Sequence, residues 1–310
     1  MNLYRPEGTL ISSFQNHEYI STQKGLEKAL EKQVILEAPV ILCDHNFNLH
    51  VSLGSKMRGI IPRDEVEYTP GEETKDIAIL TRVGKAVSFM VVGFEKDSAG
   101  DAIAILSRKR AQKECMQNYV CTLTRGDIIP CRITHLENFG AFVDIGCGII
   151  SLLSIDSISV SRISHPSARL EVGDSIYTVV KAIDDKGRIY VSERELLGTW
   201  EENAALFKEG ETVRGIVRSI ESYGIFVELK PNLAGLAEFK ENVTVGQIAA
   251  VYIKSIIPEK MKVKLIIIDN HSEDIAHEPP KYFIDTEKVT HIDSWVYSPP
   301  SSNRIIETVF

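Results

Sequence analysis

Two pairs of aromatic residues stand three apart around a glycine, as Phe139-Gly-Ala-Phe142 and Tyr223-Gly-Ile-Phe226. Residues three apart in a regular strand face opposite sides. Gly140 permits a bulge or close bend that brings both rings to one surface. Rings exposed on a barrel face stack on unpaired bases, at about 1–3 kcal/mol per base. The same rings would also suit a core, and cores repeat too, so the pattern leaves both readings open.

Charged residues could complete such a surface. Arg188 suits a phosphate held by two hydrogen bonds or a stack on a base, and Lys262 offers a point charge. Arg132, Lys181, Arg214, Arg218, Lys254, Lys260 and Lys264 form either local basic stripes or a solvated face. Asp184, close to Arg188, is placed to orient the guanidinium or to touch a ligand itself.

Enzymatic chemistry finds little support. Asp184 and Asp185 are adjacent, so an extended strand would point them apart, and a turn fits them better. His45, His50, His135 and His165 lack metal-ligand spacing, His165 precedes a proline in a loop, and His271 and His277 fall in the acidic tail. No GxSxG, Walker loop or GxGxxG occurs. Cys43, Cys115, Cys121, Cys131 and Cys147 are odd in number without a CxxC pair, as idle thiols in a reducing compartment would be. Arg108-Lys-Arg110 reads as a helix-end charge group. The expectation is a non-catalytic protein with no metal site and no cofactor.

Charge limits how a nucleic acid could be held. The chain has 310 residues, 35 basic against 43 acidic, for a net charge of −8. Its 44% apolar and 25% charged composition is that of a globular protein and excludes wholesale disorder. A bulk basic field is absent. The last 41 residues, with 3 basic and 7 acidic groups, carry half of the excess, so the body is nearly neutral. Few phosphates would be neutralised, and salt dependence should be shallow. No secretory signal is visible, and no apolar run approaches the roughly 20 residues of a membrane helix. The expectation is a cytoplasmic protein with no membrane partner.

The elements that carry these residues repeat. Arg125–Ile145 aligns without a gap on Glu209–Leu229 at an offset of 84, with Gly126, Ile133, Phe139, Gly140, Phe142 and Val143 meeting Gly210, Val217, Tyr223, Gly224, Phe226 and Val227. Gly148-Ile-Ile then meets Gly235-Leu-Ala, and each unit closes on a β-branched strand, Ile189–Ser192 or Val263–Ile266. A weaker copy lies upstream: strands over Ile35–Cys43 and Phe47–Leu53, Gly59-Ile-Ile, Val83-Gly and a closing strand Ala102–Ser107. Short alternating strands broken by Gly, Asp and Asn suggest small antiparallel barrels. The fold class is all-β: three tandem OB-fold barrels, the first degenerate, joined by short helices and followed by an irregular C-terminal tail. The boundaries are an N-terminal segment 1–30, a first barrel 31–109, a helical linker 110–123, a second barrel 124–196, a linker 197–208, a shortened third barrel 209–268 and an acidic tail 269–310. Thr199 and Glu202 have the spacing of a capping box in the second linker, and Trp295 and Tyr297 are the residues through which the tail would pack.

Gly126-Asp, Phe139-Gly-Ala-Phe-Val-Asp144, Gly148-Ile-Ile, His165-Pro-Ser167, Val172-Gly-Asp174 and Val191-Ser-Glu-Arg194 occur in one order over about 70 residues. In this combination the second unit resembles the ribosomal protein S1-type RNA-binding domain, a five-stranded OB barrel. The third unit is similar over its first and last strands, and the first looks like a divergent copy. The resemblance implies an RNA face built from Phe139 and Phe142, a position where Ser151 replaces the family's histidine, and Asp184 with Arg188. In the third unit it implies Tyr223, Phe226 and Lys262, with Ala237 at the histidine position and Ile257 or Pro258 at the aspartate position. In the first unit, Asn48 and Val51 stand near the aromatic sites, which implies no RNA platform.

Two functions fit these residues. The leading one is a non-catalytic protein that holds single-stranded RNA, mRNA included, on the second and third units in translation or RNA metabolism. The alternative is an adaptor whose barrels dock on the ribosome or another complex. Stacking is sequence-tolerant, so strong sequence preference is not implied.

Overall fold

The computed structural model describes residues 4–54, 57–71, 73–96, 100–273 and 278–310. His277 lies outside them, as do Met1, Asn2 and Leu3. The chain divides into two compact units, Met1–Leu123 with Asp144–Ile150, and Thr124–Val143 with Ser151–Phe310.

Three five-stranded closed barrels follow one another. The first consists of β1 (Leu36–Cys43), β2 (Leu49–Ser52), β3 (Arg58–Ile61), β4 (Ala86–Lys96) and β5 (Ala102–Ser107). The second consists of β6 (Ile128–Glu137), β7 (Gly140–Asp144), β8 (Ile150–Ser154), β9 (Ser175–Ile183) and β10 (Ile189–Ser192). The third consists of β11 (Thr212–Glu221), β12 (Gly224–Lys230), β13 (Leu233–Ala237), β14 (Ile248–Ile257) and β15 (Lys262–His271). In the first the strand order is β1-β2-β3-β5-β4, and the other two repeat it. Each barrel has one parallel pair, between its third and fifth strands. This is the all-β, three-barrel architecture of the OB class.

Alternation fills the cores. In β12, Ile225, Val227 and Leu229 are buried, and in β15 Val263, Leu265 and Ile267 are buried while Lys262, Lys264 and Ile266 are exposed. Helices α1 (Phe14–Ile20) and α2 (Gln23–Lys32) lie mostly within the expected N-terminal segment. They give Ile20, Leu26 and Ala29 to the first barrel's core. Helix α3 (Asp76–Leu80) precedes β4, and α4 (Arg108–Asn118) follows β5. Arg108 at the start of α4 is fully buried and donates to Glu7 at 2.7 Å, so it is a packed ion pair rather than a surface charge. A single turn, α5 (Ile155–Ile158), follows β8. Helix α6 (Trp200–Ala204) carries the expected capping box, with the Glu202 N–H donating to the Thr199 hydroxyl and the Thr199 N–H to the Glu202 carboxylate.

The tail is more ordered than its composition suggests. It is largely irregular but includes a two-stranded sheet, β16 (Ser294–Val296) with β17 (Glu307–Val309). Trp295 and Tyr297 are buried in the third barrel's core cluster. The Tyr297 hydroxyl donates to the Asn232 carbonyl at 2.5 Å.

Candidate nucleic-acid interface

Phe139 belongs to the turn before β7, and Phe142 is the outward residue between buried Ala141 and Val143. Both rings therefore share one side. They meet edge to face, with centroids 6.0 Å apart and planes at 89°, a geometry that aromatic rings favour. Tyr223 and Phe226 repeat it at 6.1 Å and 89°. Phe139 and Tyr223 are 54% and 68% exposed, while Phe142 and Phe226 are half-buried. The core alternative thus fails for all four.

The glycine between the rings acts by close approach. A β-carbon on Gly140 would collide with the Leu153 carbonyl oxygen, and one on Gly224 would sit 2.5 Å from the Ala237 carbonyl oxygen. In the third barrel the bulge that the aromatic spacing suggested lies on the partner strand. Arg218 is the extra residue of β11, between the pairs Val217–Val227 and Ser219–Phe226. Arg218 is also one of the two arginines that pair with buried Glu228, donating to it at 2.8 Å beside Arg169, so it joins no basic stripe.

The same contacts fix which residues correspond. Gly140 abuts Leu153 as Gly224 abuts Ala237, so Ser154 corresponds to Glu238, each ending or following the third strand. Ser151 and Ala237, expected on the face, are instead inside the barrels. Ser151 is 4% exposed and donates its hydroxyl to the Ile189 carbonyl at 2.6 Å, and Ala237 is 1% exposed. Matching Gly148 with Gly235 places the register three residues short on β8, where Leu153 and not Ile150 corresponds to Ala237. Ser154 is half-exposed, and the N–H of Ile155 next to it donates to the Phe139 carbonyl. Glu238 pairs with Lys254 at 3.5 Å.

A second correction concerns the first barrel. There Leu49 pairs with Ile61, His50 with Ile60 and Val51 with Gly59. In the third barrel Ile225 pairs with Ala237, Phe226 with Leu236 and Val227 with Gly235. His50 therefore holds the place of Phe226, and Phe47 that of Tyr223, whereas Val51 is buried. The turn before β2 has one residue more than its counterpart, which shifted the sequence comparison by one. Neither ring is free for a ligand. Arg63 lies 4.8 Å over the Phe47 ring and pairs with Asp76 at 2.6 Å. His50 is hydrogen-bonded to Asp44 at 3.2 Å. Burial works to raise Asp44, but hydrogen bonds from Asn48, His50 and Asn46 hold it down at about 2.

Arg188 and Asp184 are brought together at the β9–β10 turn. The Arg188 Nε donates to Asp184 at 2.6 Å, and Asp184 also accepts the backbone N–H groups of Lys186 and Arg188. The hydrogen bond from the Arg188 backbone is the largest of the causes that lower the Asp184 pKa. The carboxylate is thus committed to the turn, and the exposed guanidinium is held by it. Lys262 is exposed and lies opposite Ile257 on β14.

The rows across the three faces differ in chemistry. In the third barrel Phe226 pairs with Leu236, which pairs with Lys264. In the second, Leu152 pairs with Tyr190, an outward residue between buried Ile189 and Val191. In the first the row is His50, Ile60 and Ile105. The outward positions of Tyr190 and Lys264 follow from strand alternation, Tyr190 lying within the closing strand Ile189–Ser192. His135 was missed. Its ring lies over Phe142, 6.4 Å away at 22°.

The model of the S1 RNA binding domain matches residues 122–194. Residues 122–194 are an S1 RNA-binding domain. The chain is also similar to the small ribosomal subunit protein bS1 homolog of Bacillus subtilis (strain 168), 31% identical over 260 residues, covering 81% of this chain and 64% of that protein. Against bS1 of Staphylococcus saprophyticus it is 29% identical over 240 residues, covering 76% and 58%. The chain thus spans less than two thirds of these relatives. A solved multidomain protein with nucleic acid binding domains from Streptococcus pneumoniae is 17% identical, with a TM-score of 0.25, covering 76% of this chain and 73% of that one. The S1 domain is the barrel that carries Phe139, Phe142, Asp184 and Arg188. Among the described residues, no helix is long and apolar enough to cross a membrane.

Proposed function

We propose that this protein holds single-stranded RNA, mRNA included, on the aromatic faces of its second and third barrels, without catalysing a reaction on it. The observation that carries the reading is the pair of exposed, perpendicular rings, Phe139 with Phe142, repeated as Tyr223 with Phe226. Unpaired bases stack on such rings whatever their sequence. Arg188 supplies a fixed guanidinium, and Lys262 and Lys264 supply exposed charges for the backbone. A cytoplasmic role in translation, with the ribosome as a partner, belongs to the same proposal and is supported by the names of the bS1 relatives.

A fluorescence titration tests it. Unstructured RNA should bind, duplex RNA of the same length should bind far more weakly, and labelled RNA should remain intact with Mg²⁺ present. Equal affinity for duplex and single strand would count against stacking, and turnover of the RNA would count against a non-catalytic role.

The first barrel favours a second role for itself. Leu42 and Ile41, 52% and 63% exposed, stand where the S1 domain has His135 and Thr134, and beyond His50 the row beside them continues with aliphatic Ile60 and Ile105. Protein docking fits that face better than base stacking. A pull-down from nuclease-treated lysate should lose specific partners when Ile41 and Leu42 are both changed to Ser; an unchanged partner set would remove this role.

A further inference from the structure

We infer that His135 is a third stacking residue of the S1 domain, one that neither of the other barrels possesses. The inference rests on the proposed RNA-holding role of the face and names an additional contact within it.

Strand alternation from Ile133 would turn residue 135 inward. An extra residue in the strand re-aims everything after it. In the third barrel that residue is Arg218, after which Ser219 faces Phe226. In the first it is Ile41, after which Leu42 faces His50. The offset of 84 puts Thr134 at the place of Arg218 and His135 at that of Ser219. The Thr134 hydroxyl donates to the Phe142 carbonyl at 3.0 Å, which ties this point of β6 to β7.

The imidazole is consequently outside the barrel, its side chain 61% exposed, and nearly parallel to Phe142. Its Nε2 lies 2.8 Å from a Glu137 carboxylate oxygen, which holds the ring in place. Three rings, His135, Phe142 and Phe139, therefore adjoin in sequence, the first two nearly parallel and the last perpendicular. A ring already held exposed costs little ordering when a base stacks on it. Ser219 and Leu42 offer no ring at the same position.

The test uses the full chain and a fluorescein-labelled oligouridylate of about 12 nucleotides, within the span of OB folds. His135→Ala should weaken binding roughly fivefold to a hundredfold, as loss of one stacked base implies. His135→Phe should stay within about twofold of the parent, because a neutral ring replaces the imidazole. Ser219→His should tighten binding, adding the ring to the third barrel. Unchanged affinity in His135→Ala overturns the inference. Loss in His135→Phe as large as in His135→Ala overturns it too, since charge or hydrogen bonding would then be the contact. Phe139→Ala with Phe142→Ala, measured in parallel, separates the failures: if that pair loses affinity and His135→Ala does not, the RNA face stands and only the third ring falls.

Discussion

The Phe139 and Phe142 rings stand perpendicular, 6.0 Å apart, although they are three residues apart on a chain whose strand alternation would separate them. Phe139 is not in the strand. It occupies the turn, and the glycine after it lets β7 run against the Leu153 carbonyl where no side chain fits.

That relationship makes Gly140 a stability position. Gly140→Ala should cost about 1–3 kcal/mol, as overpacking against backbone does, read as a lower midpoint in urea. Gly93→Ala, where a β-carbon meets open space, should change stability by only a few tenths of a kcal/mol. Equal effects at the two glycines would contradict the close-approach account.

The buried group around Glu228 gives a second stability prediction. Arg169 grips Glu228 with two hydrogen bonds, at 2.9 and 2.6 Å, and Arg218 adds two more, at 2.8 and 3.2 Å. Glu228→Gln leaves two largely buried guanidinium groups without their counter-charge. The loss should be about 3–5 kcal/mol, measured by chemical denaturation. A loss under about 1 kcal/mol would mean that solvent reaches the group.

Glu193 sets a pH dependence. Burial raises its pKa to about 8, although the Tyr282 hydroxyl donates to it and Arg169 lies near. The folded carboxyl thus stays protonated where the unfolded one, near 4.3, has ionised. Because the folded state holds the extra proton, this group's contribution is fully present below about pH 4 and is lost as pH rises toward 8. Glu193→Gln should be increasingly stabilised relative to the parent over that window, by at most about 1.4 kcal/mol per pH unit. Parallel stability curves from pH 5 to 8 would show that Glu193 does not titrate there.

Salt dependence separates charge from stacking. Among the described residues, Lys260, Lys262 and Lys264 form no ion pair. Each phosphate contact on a single strand contributes about 0.7 to the slope of log affinity against log salt. Changing all three lysines to Ala should make the slope shallower by up to about 2, while Phe139→Ala should leave it unchanged. A slope that follows the aromatic variant would reverse the assigned roles.

Much of this was legible in the sequence. The repeat at an offset of 84, the alternation of β12 and β15 and the capping box at Thr199 are local patterns, and local patterns determine the three barrels and their order. What was not legible depended on single-residue insertions. One residue more in the turn before β2 displaced the reading from Phe47 and His50 onto Asn48 and Val51, and the length of the turn after Asp144 displaced it from Ser154 onto Ser151. His135 was hidden because alternation from Ile133 alone places it inside, whereas its side chain is exposed. Arg218 looked like a surface charge until its partners Glu228 and Arg169, distant in sequence, came into view.

On the proposed reading the acidity of the chain bears on function less than its net charge suggests, because stacking on the paired rings needs no basic field. The most direct measurement is the dissociation constant of the full chain for an unstructured RNA, with the Phe139→Ala, Phe142→Ala double variant beside the parent. Loss of two stacking rings should weaken binding by at least about tenfold with the melting temperature nearly unchanged. A folded double variant that binds RNA as tightly as the parent would contradict the central claim.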